Sequence, residues 1–248
     1  MRIKHLLSLS WVLLISGLSS LQAQQNVLKI NLPNLPSGHV ALHYERAIQN
    51  NMSLGVIVGL TPSRDIPGSD LLRNWIFENP DSISFNFSGS YTKFAITPEF
   101  RYYLQSQRYD SPVGIYLAAA FRYSRHAFEI PFTFTEDNGN PLTITFDGRL
   151  QNIGGTLGIG VQFFIAERFS IDIYTGLGAA FTPIRLQGSS NALTSDDYIK
   201  IRDQFLGEIG VDIDPSRVEE WVANRDLNIR FPIYLPLVRT GLSVGYRF

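Results

Sequence analysis

From Met52 to Thr61 nearly every second residue is apolar. Met52, Leu54, Val56, Val58 and Leu60 fall on one face, and Ser53, Gly55, Ile57, Gly59 and Thr61 on the other. A period of two marks a β-strand, whose successive side chains point to opposite faces. Between Ile153 and Ile165 the pattern repeats: Ile153, Leu157, Ile159, Val161, Phe163 and Ile165 oppose Gly154, Thr156, Gly158, Gly160 and Gln162. From Phe169 to Phe181 the weaker face carries Ser170, Asp172, Tyr174, Gly176 and Gly178. A soluble sandwich would dress its wet face in Lys, Glu and Thr. Here that face is mostly Gly, Ser, Ala and Tyr with isolated charges, which suits the crowded interior of a narrow barrel whose apolar face meets lipid.

About eight such strands are expected, near 27–32, 38–48, 52–62, 91–104, 113–128, 141–165, 168–182 and 233–248. Asn50-Asn51 and Glu167-Arg168 read as tight turns, and 105–112 is short. Segments 63–90 and 183–232 are long, and a tall hairpin turns at Asp137-Asn138-Gly139. Short turns at one end and long loops at the other are the outer-membrane pattern, broken only by the short connection at 33–37. The expected fold is all-β: an eight-stranded antiparallel transmembrane barrel with long extracellular loops (63–90, 124–152 and 183–232) and a short helical segment. An even strand count puts both ends on the periplasmic side.

The first residues fit export. Arg2, Lys4 and His5 precede an apolar stretch from Leu6 to Leu18, and Ser19-Ser20-Leu21-Gln22-Ala23 ends on a small residue. This is a secretory signal pattern over 1–23, with the mature barrel covering 24–248. The apolar stretch is about 13 residues, short of the about 20 that a spanning helix needs. At the other end Leu242, Val244, Tyr246 and Phe248 alternate up to the last residue given. An aromatic residue there, in phase with the lipid-facing positions, reads as a sorting signal for barrel-assembly machinery. The expected location is the outer membrane.

Lys29-Ile30-Asn31-Leu32, Tyr44-Glu45-Arg46, Pro98-Glu99-Phe100-Arg101-Tyr102-Tyr103, Gly114-Ile115-Tyr116, Phe121-Arg122-Tyr123 and Gly245-Tyr246-Arg247-Phe248 carry a family likeness. In these stretches the chain resembles the uncharacterised small outer-membrane β-barrel proteins of Bacteroidetes-type bacteria. The resemblance implies a barrel and a location, and no activity. The loops at 63–90 and 183–232 fall outside it.

The formal net charge of -1 gives no basis for nucleic-acid binding, and without cysteine there are no disulfides or thiolate metal sites. No cofactor is called for. Candidate chemistry lies on the polar face of the strands. Alternation turns His39, His43 and Glu45, then Lys93, Thr97, Glu99 and Arg101, into the lumen, followed by Arg122, Ser124, His126, Asp172, Arg239 and Arg247. Glu45, Glu99, Arg101, Arg122, Asp172, Arg239 and Arg247 are expected to pair as a structural network, because an unpaired buried charge is costly. Three other readings compete. Ser124 and His126, with Glu45 or Glu99, could form a Ser-His-acid set of a membrane-lipid-modifying hydrolase. A water path past Arg101 and Arg239 would make a narrow solute channel. His39, His43 and Glu45 could hold a metal ion.

The tall hairpin reverses its apolar phase. Leu117, Phe121 and Tyr123 are odd-numbered, whereas Phe128, Ile130, Phe132 and Phe134 are even; the returning strand changes from Leu142, Ile144, Phe146 and Leu150 to Ile153, Leu157 and Ile159. Either the strands leave lipid near residues 125 and 152, or two bulges match. The inward apolar face above the lipid then needs a cover. Thr194 with Asp197 is a capping-box pattern, followed by Tyr198, Ile201, Phe205 and Ile209 at helical spacing; Asp214-Pro215 starts a second stripe with Val218, Trp221 and Val222. These segments are expected to form an extracellular cap. If exposed, Trp75 and Trp221 would suit contact with a surface protein or glycan. The other expected partner is outer-membrane lipid.

Overall fold

Alternating sequence becomes a closed wall. The computed structural model describes residues 26–49, 51–65, 84–85, 89–104, 112–135, 141–189, 199, 215–224 and 226–248. Its strands are β1 (Asn26–Asn31), β2 (Val40–Gln49), β3 (Met52–Asp65), β4 (Ser84–Phe85), β5 (Ser90–Tyr103), β6 (Gly114–Thr135), β7 (Pro141–Ile165), β8 (Phe169–Ser189) and β9 (Asp226–Arg247). One helix, α1 (Pro215–Asn224), precedes β9. Every pairing is antiparallel. The chain runs β1-β2-β3-β5-β6-β7-β8-β9, and β9 returns to β1 through Val27↔Arg247 to Asn31↔Ser243. Eight strands therefore close a ring without a free edge. Two-residue β4 lies outside the ring and pairs with the upper end of β6, within the segment expected as loop.

The two faces of the wall separate as the alternation demands. Leu157 is 73% exposed and Leu177 68%, and Leu54, Leu60, Phe121, Ile159 and Val238 also face outward. The inner positions hold Lys29, Glu45, Arg101 and Asp172, each at most 1% exposed. Large inner rings fit because glycine stands opposite. Tyr116 pairs with Gly160 and Tyr174 with Gly241, and a Cβ on either glycine would come within 2.4 Å of the phenol. The turn from β7 to β8 puts Ala166 and Glu167 at φ 49° and 62°, the left-handed geometry that tight hairpins use.

The hairpin settles how its phase reverses. β6 and β7 stay in one register from Gly114↔Gln162 to Thr135↔Pro141, without a bulge. Ser124 is buried and Arg125 exposed; higher up, Phe146 is buried and Arg149 exposed. Even positions face inward wherever the side chains are described, up to Phe128 on β6 and from Phe146 down on β7, and only the chemistry of the two faces changes. The change falls at the pair Arg125↔Gln151. The reversal therefore comes from a change of surroundings and not from a pair of bulges.

One boundary needs correction. Residues 183–232 do not form a single connection: β8 continues to Ser189 and β9 starts at Asp226, paired from Ser189↔Asp226 to Phe169↔Tyr246 without a shift. Pro183 and Pro232 stand opposite each other at the point of change. Proline lacks a ladder donor and reads as a strand end, while the apolar face crosses inward to Leu186, Leu227 and Ile229.

Candidate functional site

The lower lumen is filled by one charged network to which all eight ring strands contribute. Lys29 of β1 donates through Nζ to Glu45 Oε2 of β2 at 2.5 Å, to Asp172 Oδ2 of β8 at 2.8 Å and to Gln162 of β7. From β5, Arg101 Nη1 reaches Asp172 Oδ2 at 2.9 Å, Gln162 Oε1 at 3.2 Å and Glu45 Oε2 at 3.4 Å, while its Nε meets Glu99. Glu99 also pairs with Arg239 of β9. Hydroxyls complete the carboxylates: Ser53 of β3 donates to Glu45 at 2.5 Å, Tyr103 to Glu45 at 2.6 Å and Tyr116 of β6 to Asp172 at 2.6 Å. The Arg101 guanidinium stacks 4.2 Å from the Tyr116 ring centre. Three cations face three carboxylates, so this layer is neutral.

Of the seven residues expected in the lumen network, Glu45, Glu99, Arg101, Asp172 and Arg239 come together here. Arg247 lies apart, stacked 4.6 Å over Phe164 at the turn end. Arg122 faces the lumen higher up and makes no ion pair among the described residues; its Nε has no hydrogen-bond partner. Lys29 was not among the seven. Its signal was the alternation of β1, which sets Lys29 and Asn31 against Leu28 and Ile30. Gln162, Ser53, Tyr103 and Tyr116 escaped because they carry no charge.

The competing chemistries meet specific geometry. Ser124 Oγ lies 3.1 Å from His126 Nε2, and the position a triad acid would take on Nδ1 is held by Tyr91 Oη at 2.8 Å. Glu45 and Glu99 are engaged in the layer below. Ser124 is fully buried. For the metal reading, the oxygens of Glu45 are taken by Lys29, Ser53, Tyr103 and Arg101, and His39 Nδ1 meets Thr61 at 2.8 Å. For the channel reading, Arg101 is paired with three carboxylates and 1% exposed.

The chain belongs to the DUF3575 family. Its family model, described as "Protein of unknown function (DUF3575)", matches residues 9–187. No curated protein matches the sequence. Among solved structures, the chain is similar to a major outer membrane protein from Thermus thermophilus, with 14% identity, 92% of this chain and 100% of that chain covered, and a TM-score of 0.46. It is also similar to CarO2 of Acinetobacter baumannii (13% identity, 91% and 98% covered, TM-score 0.38). A third likeness is the outer membrane protease OmpT of Escherichia coli (8% identity, 91% and 94% covered, TM-score 0.39).

Above the apolar belt of this DUF3575 barrel lies the cap. Phe146, Leu186, Leu227 and Ile229 are buried, and a Cβ on Gly148 would strike the Phe128 ring, which lies over it. α1 packs against β9 and carries Trp221, 3% exposed. The condition for Trp221 as a surface anchor is therefore not met: its indole belongs to the interior of the cap, as an apolar helix stripe should. Trp75, the stripe from Thr194 to Ile209 (apart from exposed, helical Ile199) and the signal segment 1–23 lie outside the described residues, as do the side chains of Ile130, Phe132, Phe134, Leu142 and Ile144. Leu242, Tyr246 and Phe248 are exposed on the outer face, with Val244 half-buried beside them.

Proposed function

We propose that the chain is an exported, non-catalytic outer-membrane barrel of the Bacteroidetes type, closed across its lumen, that acts through its extracellular cap in a structural or surface-binding role. The observation that carries the membrane reading is the outer belt. Water-soluble proteins do not present a continuous apolar band around their whole girth. Here aromatic pairs bound the band: Phe169 with Tyr246 at 5.7 Å near the turns and Phe181 with Tyr234 at 5.5 Å near the cap. From Phe169 to Phe181 along β8, at about 3.3 Å per residue and about 40° tilt, the band is about 30 Å tall, close to the height that outer-membrane barrels show.

The neutral layer around Arg101 supports a closed lumen, and Tyr91 in place of an acid on His126 supports a role without acyl transfer. Outer-membrane lipid is the standing partner. The buried side of the cap leaves its outer surface as the place for a surface protein or glycan. Planar-bilayer recording tests the closed lumen. Purified protein should insert without a steady conductance, and a large stable conductance would replace this reading by the solute channel.

A further inference from the structure

We propose that the outer face of β6 to β9, at the upper rim of the apolar belt, is a binding site for the phosphorylated headgroup of a membrane lipid. The inference rests on the membrane reading above and adds a ligand to it.

Four adjacent strands each contribute one outward arginine: Arg125 from β6, Arg149 from β7, Arg185 from β8 and Arg230 from β9. Arg149 is paired directly with Arg185, and Arg185 with Arg230, while Arg125 stands opposite Gln151, the next outward residue below Arg149. All four line one groove of about 410 Å³, together with Gln151 and the opposed prolines Pro183 and Pro232. Arg125, Arg149 and Arg230 are exposed and Arg185 is half-buried.

Like charges directly opposite on neighbouring strands destabilise a sheet. Three in a row is an arrangement that a structural role does not explain, unless an anion sits among them. No ion pair joins any of the four to a described residue. The nearest described outward acids are Asp147, the next outward residue above Arg149, and Glu129, which stands opposite Asp147. Arg185 Nε is buried without a hydrogen-bond partner. Arg230 Nε donates to Asn228 Oδ1 at 3.1 Å, which steadies its head.

Height decides what anion fits. Below the arginines the outward residues are Tyr123 under Arg125, and Ile153, Phe181 and Tyr234 beneath an intervening Gln151, Pro183 and Pro232; Tyr234 stacks on Phe181. Such rings sit where hydrocarbon meets headgroups. Arg125 stands one outward position above this layer and the other three arginines stand two above it, at headgroup level on the side away from the short turns. The row is also one-sided: on β5, β3 and β2 the outward residues level in register with Arg125 are Phe94, Leu60 and Val40. Uniform attraction to an anionic surface would not need four guanidiniums on one half of the wall. A planar guanidinium takes two phosphate oxygens at once, and several around one groove make a cradle for a phosphate joined to acyl chains lying on the belt beneath.

The test uses the full mature protein in nanodiscs of zwitterionic lipid doped with phosphorylated lipid A or with its dephosphorylated form. Native mass spectrometry reads the lipid retained, and heat-dependent gel mobility reads barrel insertion. Wild type should retain the phosphorylated form at least about tenfold better than the other, a preference weakened by salt. The quadruple variant R125Q/R149Q/R185Q/R230Q should insert with an unchanged heat shift and lose that preference. R185K should lose part of it, because an ammonium keeps the charge without the two-pronged contact. Arg46→Gln, on β2 away from the groove, should retain it. Equal retention of both lipids by wild type, or an unchanged preference in the quadruple variant, overturns the proposal. Complete displacement by inorganic phosphate would also overturn it, since the site would then read the anion without the lipid. Absence of insertion in wild type is a different failure: it removes the membrane reading and this inference with it.

Discussion

Four side chains converge on the carboxylate of Glu45 in the buried interior: Lys29, Ser53, Tyr103 and Arg101. Each would be costly to bury alone, and together they pair, with only Arg101 Nη2 among the polar atoms of these four left without a hydrogen-bond partner. Glu45→Ala should therefore strand Lys29 and Arg101, and cost about 3–5 kcal/mol in urea unfolding from detergent. Glu45→Gln should cost less, because it keeps the shape and an acceptor. A loss below about 1 kcal/mol for Glu45→Ala would show that the layer is not what ties the strands together. Much of this layer was legible in the sequence. Glu45, Glu99, Arg101, Asp172 and Arg239 follow from counting alternate residues along each strand. Lys29 needed the same counting extended to a six-residue strand, and Gln162 and the tyrosines needed attention to neutral groups. The separation of Arg122 from the rest was not legible, because alternation gives the face and not the height.

At the scale of elements, the hairpin shows how far periodicity reaches. A phase reversal in sequence has two causes, a bulge or a change of surroundings, and only the unbroken register of β6 with β7 distinguishes them. The upper parts of β8 and β9 were hidden by Pro183 and Pro232 and by the same crossing of the apolar face. α1 was legible from Asp214-Pro215 and its stripe, yet whether Trp221 faced water depended on what it packed against. Its burial makes it a support of the cap. Trp221→Ala should remove about 3–5 kcal/mol locally. Hydrogen exchange should then quicken in 184–189 and 226–231 and stay slow in the lower strands. Equal quickening throughout would mean that cap and barrel unfold as one unit, and no change would mean that α1 covers nothing.

For the whole molecule, closure is what allows an apolar exterior and a charged interior to coexist. Each ring strand is paired on both sides, so backbone polarity is satisfied within the wall, and the outer face is free to be as apolar as lipid requires. The charged layer inside is enclosed by that wall and buried by its own packing. Such a barrel resists detergent until heated. The most direct test is electrophoresis of the protein extracted from bacterial membranes, with and without boiling. The unboiled protein should come from the outer-membrane fraction and migrate faster than the boiled one. Recovery in the soluble periplasmic fraction, with the same mobility before and after boiling, would contradict the membrane barrel.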